Sequence, residues 1–319
     1  MTTTTTYGFK KSIREDLADI IYDISPTRTP FMSNAGRGTA DNTYHEWQTD
    51  QLASPDLSNA AVEGSDAVDT DYIPTNRVGN YTQISTKTIN VSMTSNAVDA
   101  AGMRTLESYD LAKKGREIKR DMEAILLNNQ SAVVGNSATP RKLAGLPTWL
   151  KTNAVANGLT PPTLSSGNDG YPNAGWTGAA TAVDFTEDML KTAIKKLWSS
   201  GGETKMLMVG PSNKVKVSSF PGIAQHRVNV NSPKQSFIVG ASDVYVSDFG
   251  NIDVVPNLFA PEEFGFLIDP EYVSIDYLRP FERNVLAKTG DARRTQMVVE
   301  YTLAVKTERA HAIVCNLTA

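Results

Sequence analysis

Residues 105–129, TLESYDLAKKGREIKRDMEAILLNN, form the most regular segment of the chain. Apolar residues recur there at spacings of three and four, which predicts an amphipathic helix with Thr105 at its N-cap. Roughly 24 residues of helix make a rod about 36 Å long, about twice the average helix length. The segment therefore predicts a structural spine, and the apolar stripe of this spine helix consists of Leu106, Tyr109, Ile118, Met122, Ile125 and Leu126.

The other faces of the spine helix carry charged residues. Asp110 and Lys114 are four positions apart, as are Lys119 and Glu123, which predicts two exposed ion pairs. Gly115 weakens the middle of the helix slightly and indicates a close approach of another element or a bend.

Residues 43–93 precede the spine helix and have the pattern of strands around a polar excursion. The first stretch, TYHEWQTDQL, is rich in β-favouring residues such as Trp47. The last stretch, NYTQISTKTINVSM, alternates apolar and polar residues, with apolar ones at Ile89, Val91 and Met93. The polar, acidic segment between them has neither a helix period nor a strand period. This pattern predicts an extended β-arm with a mobile tip.

The N-terminal region combines an amphipathic pattern with a sharp break. Apolar residues in 9–24 are spaced mostly by three and four, which predicts a short helix that Pro26 ends. Phe31 and Met32 then stand among polar neighbours, outside any periodic segment. A compact domain has little use for such an arm, whereas a subunit that must reach its neighbour does.

The rest of the chain mixes helices with strands. A second amphipathic helix is predicted over 186–199, and KMLMVG at 205–210 predicts a buried strand, followed by a helix from Pro211. A hairpin is predicted at 249–251, and two or three long strands turn near 289–291. Helices and antiparallel strands that are segregated along the chain predict an α+β fold.

Composition limits the classes of function. The 319 residues carry a net charge of −4, so the chain has no cationic surplus for sequence-specific binding of nucleic acid. The single cysteine, Cys315, allows no internal disulfide, and no segment has the apolar length of a signal peptide or a membrane span. These features predict a protein that is made in the cytoplasm and does not associate with a membrane.

Known motifs indicate no catalytic, cofactor-binding or metal-binding residues. The chain has no glycine-rich nucleotide loop, no zinc-protease motif and no nucleophile elbow. His311 and Cys315 would lie roughly 13 Å apart on a strand, too far for a histidine to activate a thiolate. The acidic residues around Asp66 and Asp69 lack the spacing of an EF-hand, which favours a solvated arm tip over a metal site. The sequence therefore predicts no enzyme and no cofactor.

The order of these parts resembles that of the major capsid proteins of tailed bacteriophages, which have the Hong Kong ninety-seven-type fold. Both have an N-terminal arm, a long β-arm, a spine helix, a mixed domain and returning strands. Four local phrases add to the resemblance: SPTRTPFMS (25–33), EWQTD (46–50), VEGSD (62–66) and LAGLPTWLKT (143–152). The resemblance covers nearly the whole chain and implies a structural role, in which hexamers and pentamers build an icosahedral shell around packaged DNA.

The resemblance also implies a division of the chain and a set of partners. Residues 1–42 would be the N-arm, 43–93 the E-loop, 94–185 the P-domain with the spine helix, 186–260 the A-domain, and 261–319 the returning strands of the P-domain. The partners would be copies of the same chain, with portal, scaffold or decoration proteins, and DNA would be enclosed without sequence-specific binding. The place would be the virion capsid, assembled in the cytoplasm of the host bacterium.

The residues predicted to contact neighbouring subunits lie in the arm, the E-loop and a basic patch near the last strand turn. For the patch, a salt-bridge surface facing the acidic E-loop is favoured over a nucleic-acid contact, because aromatic residues for base stacking are missing. The candidates are Phe31, Met32, Trp47, Asp66, Asp69, Arg293 and Arg294. Two alternatives stay open: another virion structural protein such as a tail component, and a hydrolase with an unrecognised site.

Overall fold

The computed structural model describes residues 28–64, 66–67, 69, 74–98, 105–220 and 244–319. The helix that the sequence predicts over 9–24 lies outside these residues. The described α-helices are α1 (Pro30–Asn34), α2 (Met93–Ala97), α3 (Leu106–Leu127), α4 (Glu187–Ser199) and α5 (Pro211–Ser218). The described strands are β1 (Gly36–Thr39), β2 (Tyr44–Thr49), β3 (Asn76–Tyr81), β4 (Gln83–Ser92), β5 (Ala154–Val155), β6 (Leu164–Ser166), β7 (Asp169–Pro172), β8 (Met206–Val209), β9 (Val244–Ser247), β10 (Gly250–Pro256), β11 (Gly265–Ile268), β12 (Val273–Val285), β13 (Ala292–Val305) and β14 (Ala312–Val314).

A four-stranded sheet supports the spine helix, α3. Its order is β1-β12-β13-β4, and β12 with β13 forms the long antiparallel hairpin that the sequence predicts. Strand β4 pairs antiparallel with β13, and β1 pairs parallel with β12 at the opposite edge. The side chains of Ile118, Met122 and Leu126 on α3 are buried in the core that this sheet shares. The predicted amphipathic rod is thus confirmed.

Two details of the spine helix differ from the prediction. Thr105 stands at the N-cap, but its hydroxyl donates to the Ser108 hydroxyl at 2.8 Å and caps no backbone N–H. The Lys114 ammonium contacts the carboxylate of Glu117 at 2.7 Å, one helical turn on, and this shorter i,i+3 pair takes the place of the predicted pair with Asp110.

The predicted surface pair between Lys119 and Glu123 is wrong. Glu123 is fully buried, whereas Lys119 is exposed. Leu126 and Leu127 both follow Glu123 by one helical turn and are both buried, so the apolar face is wider than the predicted stripe and includes position 123.

The β-arm is also built differently from the predicted pair of strands. Strand β2 pairs antiparallel with β3, from Tyr44 opposite Tyr81 to Thr49 opposite Asn76. Strand β4 belongs to the four-stranded sheet instead, because the chain crosses over after Tyr81 and pairs with β13. In β4 the predicted alternation holds, but Met93 is exposed because it begins helix α2.

A six-stranded sheet, in the order β5-β14-β11-β8-β10-β9, separates two hydrophobic cores. On its strand β8, Met206 and Met208 face the core that contains the spine helix, while Leu207 and Val209 face the core that contains helix α4. This alternation is expected of a strand that is buried on both faces. The predicted helix over 186–199 and the predicted buried strand are both confirmed.

Shorter elements complete the described chain. Strands β9 and β10 form the predicted hairpin, which turns at Asp248 and Phe249. A third sheet, in the order β2-β3-β7-β6, joins the β-arm to the segment between α3 and α4. In that segment most of the LAGLPTWLKT stretch is buried, and Trp149 lies in the core of the spine helix.

Candidate functional site: the assembly surfaces

The histidine and the cysteine that the sequence analysis considered for catalysis are buried in the folded protein. His311 and Cys315 are both inside the protein, and the Nδ1 atom of His311 accepts a hydrogen bond from the Asp269 backbone N–H at 3.2 Å. Burial lowers the pKa of His311 to about 4 and raises the pKa of the Cys315 thiol. Within the described residues, no group of three or more His, Cys, Asp or Glu is placed to hold a metal ion. None of the described helices has the length and apolarity to cross a membrane.

Phe31 and Met32 lie in the core of their own subunit. Their side chains, in helix α1, are buried together with the spine helix. Their backbone N–H groups donate to the carboxylate of Glu123, at 2.7 Å from Phe31 and 2.9 Å from Met32. Asn257, at the end of β10, donates its side-chain amide to the same carboxylate at 2.7 Å. One buried carboxylate therefore joins the arm, the spine helix and the six-stranded sheet.

Glu123 was not recognised as part of this arrangement from the sequence. Burial raises its pKa above the ordinary range, and the hydrogen bonds from Met32, Phe31 and Asn257 act against that rise. The available signal was the run Ile125–Leu127, which widens the apolar face to include position 123. An acidic residue inside an apolar face indicates a buried carboxylate with dedicated donors.

Trp47 lies at the base of the β-arm. Its ring centroid is 5.3 Å from that of Trp149, and its side chain is half-buried. On the same strand, His45 places its Nε2 atom 3.0 Å from the carboxylate of Asp276 on β12. Glu46 forms an ion pair with Arg77 across the β2–β3 pair. The base of the arm is thus fixed to the body of the subunit.

Beyond this base, residues 50–64 form what we call the E-loop tip, and every one of them is exposed. The tip carries three large apolar side chains that its own subunit does not cover: Leu52 is 98% exposed, Leu57 102% and Val62 79%. Asp66 and Asp69, which follow the tip, are exposed as well. These three side chains are therefore available for a contact with another molecule.

Arg293 and Arg294 lie on strand β13 beside the start of the spine helix. The Arg293 guanidinium contacts the carboxylate of Glu107 at 3.2 Å, and Arg283 contacts the same carboxylate at 2.8 Å. Arg294 stands opposite Asn90 of β4 in the sheet register. Consecutive residues of a strand point to opposite faces of the sheet, so the structure separates the two arginine side chains. Arg293 pairs with its own spine helix, and the contact of either arginine with a neighbouring E-loop stays a prediction.

A second buried carboxylate has the same construction. Glu300 on β13 accepts hydrogen bonds from Arg141 at 2.6 Å, from Arg279 at 3.0 Å and from the Thr82 hydroxyl at 2.8 Å. No local pattern predicts this cluster, because its members come from separate segments of the chain. Clusters of this kind hold separate segments in register and place no reactive group at the surface.

A sequence model of the SU10 major capsid protein family matches residues 1–318. The chain belongs to this family. A member of the SU10 major capsid protein family is a structural subunit of a phage capsid and not an enzyme, which agrees with the buried environment of His311 and Cys315.

Relatives and solved structures agree with this family. The "Major capsid protein" of Escherichia phage Phieco32 is 29% identical over 315 residues, which cover 89% of this chain and 88% of the relative. The capsid asymmetric unit of cyanophage A-1(L) superposes with a TM-score of 0.67 at 12% identity, covering 99% of this chain and 100% of that chain. The capsid of a native GTA particle gives a TM-score of 0.64 at 11% identity and covers 100% of both chains. At such identities the likeness shows the fold, and it confirms the predicted Hong Kong ninety-seven-type fold.

Proposed function

We propose that this major capsid protein assembles into hexamers and pentamers, which close into an icosahedral shell around phage DNA. Assembly takes place in the cytoplasm of the host bacterium, with portal, scaffold or decoration proteins as further partners. The chain divides as the resemblance implies, with an N-arm (1–42), an E-loop (43–93), a P-domain (94–185), an A-domain (186–260) and returning strands (261–319). In this assembly the E-loop of each subunit crosses onto its neighbour.

The observation that carries the proposal is the exposed E-loop tip. Its apolar side chains Leu52, Leu57 and Val62 touch almost nothing in their own subunit. Burying an apolar side chain of this size at an interface stabilises the contact by about 1.5–3 kcal/mol. A neighbouring copy supplies the missing cover, and closed symmetry repeats that contact around the shell.

The other predicted interface residues extend this contact. Trp47 fixes the base from which the tip projects, and Asp66 with Asp69 continues the acidic surface beyond it. Arg293 and Arg294 supply cations for a neighbouring acidic loop. Phe31 and Met32 hold helix α1 against the spine helix. Each of these contacts is weak alone, and many such contacts act together in a shell.

The test is electron microscopy of the protein expressed alone in a bacterial cytoplasm and purified by size exclusion. We expect closed shells, or hexamers and pentamers, from the wild-type chain. The triple variant L52S/L57S/V62S should remain folded, because the tip contacts little of its own subunit, and should lose most of its assembled fraction.

A matched control changes only polar residues of the same tip. The variant S54A/N59A keeps every apolar side chain and should assemble like the wild type. Tubes or open rings from the wild-type chain would contradict a closed shell. Normal shells from the triple serine variant would contradict the role of the tip.

A further inference from the structure

A cavity of about 280 Å³ lies where the base of the β-arm meets the body of the subunit. Its lining comes from β2, β3, β6 and β13, from the segments next to these strands, and from residues 148–152. Val78, Val305 and Leu164 give it apolar walls beside the ring of Trp149. Its volume is close to the lower end of the range for pockets that bind ligands. The arm and the body build this cavity together.

Two half-buried cations line the cavity, Lys151 and Arg309. Neither forms an ion pair with any residue that the structure describes. A charge interaction is stronger in a partly buried site than at a fully exposed one, because less water screens it. An anion that enters the cavity therefore gains more from these two cations than from lysines on the open surface.

The acidic residues of the lining already have donors from their own chain. The Glu308 carboxylate accepts hydrogen bonds from the backbone N–H of Lys151 at 3.0 Å and from the N–H and hydroxyl of Thr152. Asp50 is exposed and accepts the N–H of Gln51 at 2.8 Å. Both carboxylates thus bind backbone donors, and the two cations of the cavity are left for a ligand.

A buried donor favours the same class of ligand. Trp149 is 5% exposed, and its indole Nε1 has no hydrogen-bond acceptor among the described residues. Trp47, whose ring centroid lies 5.3 Å away, also has a buried indole N–H that lacks an acceptor there. A buried N–H without an acceptor is costly, and an oxygen atom of a ligand removes that cost. The cavity has more donors than acceptors and fits a ligand rich in acceptors.

The shape of the site favours a peptide over a nucleic acid. Stacking of a base needs an open aromatic face, and the ring of Trp149 is buried. Val78 and Val305 place apolar surface beside the cations, which suits an apolar side chain next to a carboxylate. An extended peptide presents both groups at neighbouring positions, and a few of its residues fit a cavity of this volume.

We propose that this cavity binds an extended acidic segment of a partner protein. A carboxylate of that segment pairs with Lys151 and Arg309 and accepts the indole N–H of Trp149. An adjacent apolar side chain packs on Val78 and Val305. Since Val78 belongs to the arm and Trp149 to the body, the bound segment ties the two together and fixes the direction in which the arm leaves the subunit. This inference goes beyond the proposed function, because it concerns a second protein and not a contact between copies.

Labelled peptides test the site on the purified full-length chain. Each probe is a pentapeptide with a fluorescein label, in which aspartate or glutamate stands between two leucine, valine or phenylalanine residues. Each has a matched asparagine or glutamine version. Fluorescence anisotropy should show an acidic probe that binds about tenfold more tightly than its amide version, because charge-assisted hydrogen bonds are the stronger ones. If no acidic probe binds more tightly than its amide version, the proposal is wrong.

Variants of the lining locate the binding. The variant K151Q/R309Q should remove the preference for the acidic probe, and W149F, which keeps an aromatic ring but has no indole N–H, should weaken binding severalfold. The control K195Q/K288Q removes the same charge at exposed lysines outside the cavity and should bind like the wild type. Melting temperatures near that of the wild type show that the variants are folded. Undiminished binding by K151Q/R309Q would place the peptide on another surface and overturn the proposal.

Assembly and competition separate the other occupants. The variant K151Q/R309Q, expressed alone, should assemble like the wild type. Loss of particles from a variant that still melts normally would assign the cavity to a neighbouring copy and overturn the partner proposal. Displacement of the probe by an equal concentration of isocaproate would assign the cavity to a small carboxylic acid, and displacement by oligothymidylate would assign it to nucleic acid. A wild-type chain that binds the acidic probe but forms no oligomer would contradict the proposed function alone, so the two proposals fail separately.

Discussion

Glu123 shows how one side chain can decide the position of several segments. Its carboxylate accepts hydrogen bonds from the backbone N–H groups of Phe31 and Met32 and from the amide of Asn257. A buried carboxylate is costly unless each oxygen has a donor, and a buried donor that loses its acceptor costs about 1–3 kcal/mol. The position of the arm therefore depends on the hydrogen bonds that its backbone makes to Glu123 of the spine helix.

The buried His311 gives the first prediction, which concerns pH. The unfolded chain binds a proton at the ordinary pKa of 6.5, but the folded chain resists protonation down to about 4. Between these values the unfolded state binds more protons, so the free energy of unfolding falls as the pH drops from about 6.5 towards about 4. The loss is on the order of 3 kcal/mol. Denaturant unfolding at a series of pH values measures it.

The variant H311N is the control for this pH dependence. An asparagine side chain can still accept the Asp269 N–H but does not titrate, so its stability should depend less on pH over this range. Equal slopes for the two proteins would show that another group causes the acid sensitivity.

At the scale of elements, a local sequence pattern is sufficient to predict a helix whose periodicity lies within one segment. The spine helix and helix α4 were predicted because apolar periodicity and capping residues act within a single segment. The pairing of β2 with β3, and the departure of β4 to β13, could not be predicted, because both depend on partners far along the chain. Register between distant strands is set by packing in three dimensions, which a local pattern does not contain.

Two glycines that differ in their surroundings give the second prediction. A Cβ atom at Gly115, within the spine helix, would meet only the flexible end of Met297 at 3.4 Å. The variant G115A should therefore raise the free energy of unfolding by about 0.5–1 kcal/mol, since alanine is the better helix former. A Cβ atom at Gly145 would collide with the backbone carbonyl of Asn128 at the end of the same helix. The variant G145A should lower the melting temperature.

Thermal unfolding of the two variants beside the wild type checks this contrast. A destabilised G115A would show that the glycine has a role in a bend or in an approach between subunits. An unchanged G145A would show that the end of the spine helix moves freely to accept a side chain.

At the scale of the whole molecule, the mixed fold and the structural role were accessible from the order of the parts. The candidate contacts were harder to predict. Trp47 and the acidic residues of the arm stand out in the sequence because they are aromatic or charged residues in a polar stretch, and their contact with a neighbouring subunit stays a prediction. A cavity between the arm, the spine helix and β12, lined in part by Arg37 and Lys119, is built from three separate parts of the chain, so no local pattern predicts it. A sequence pattern can predict a surface that one segment forms. It cannot predict a surface that several distant segments form together.

The end of the arm gives the third prediction. Removing residues 1–27 keeps Phe31 and Met32 in the core and keeps their hydrogen bonds to Glu123, so the subunit should retain a melting temperature near that of the wild type. Removing residues 1–35 also removes Phe31 and Met32 from the core and takes two donors from Glu123. That truncation should cost at least about 3–5 kcal/mol. Calorimetry of both purified proteins makes the comparison, and equal stabilities would place the arm outside the folding unit.

The six-stranded sheet has a mechanical consequence. Its strands β8, β11 and β14 send alternate side chains into two separate cores, so the sheet is a wall common to both. A load applied to one core therefore passes to the other directly through the covalent strands of this sheet. A shell under internal pressure would therefore fail first at the interfaces between its subunits, while each subunit kept its fold.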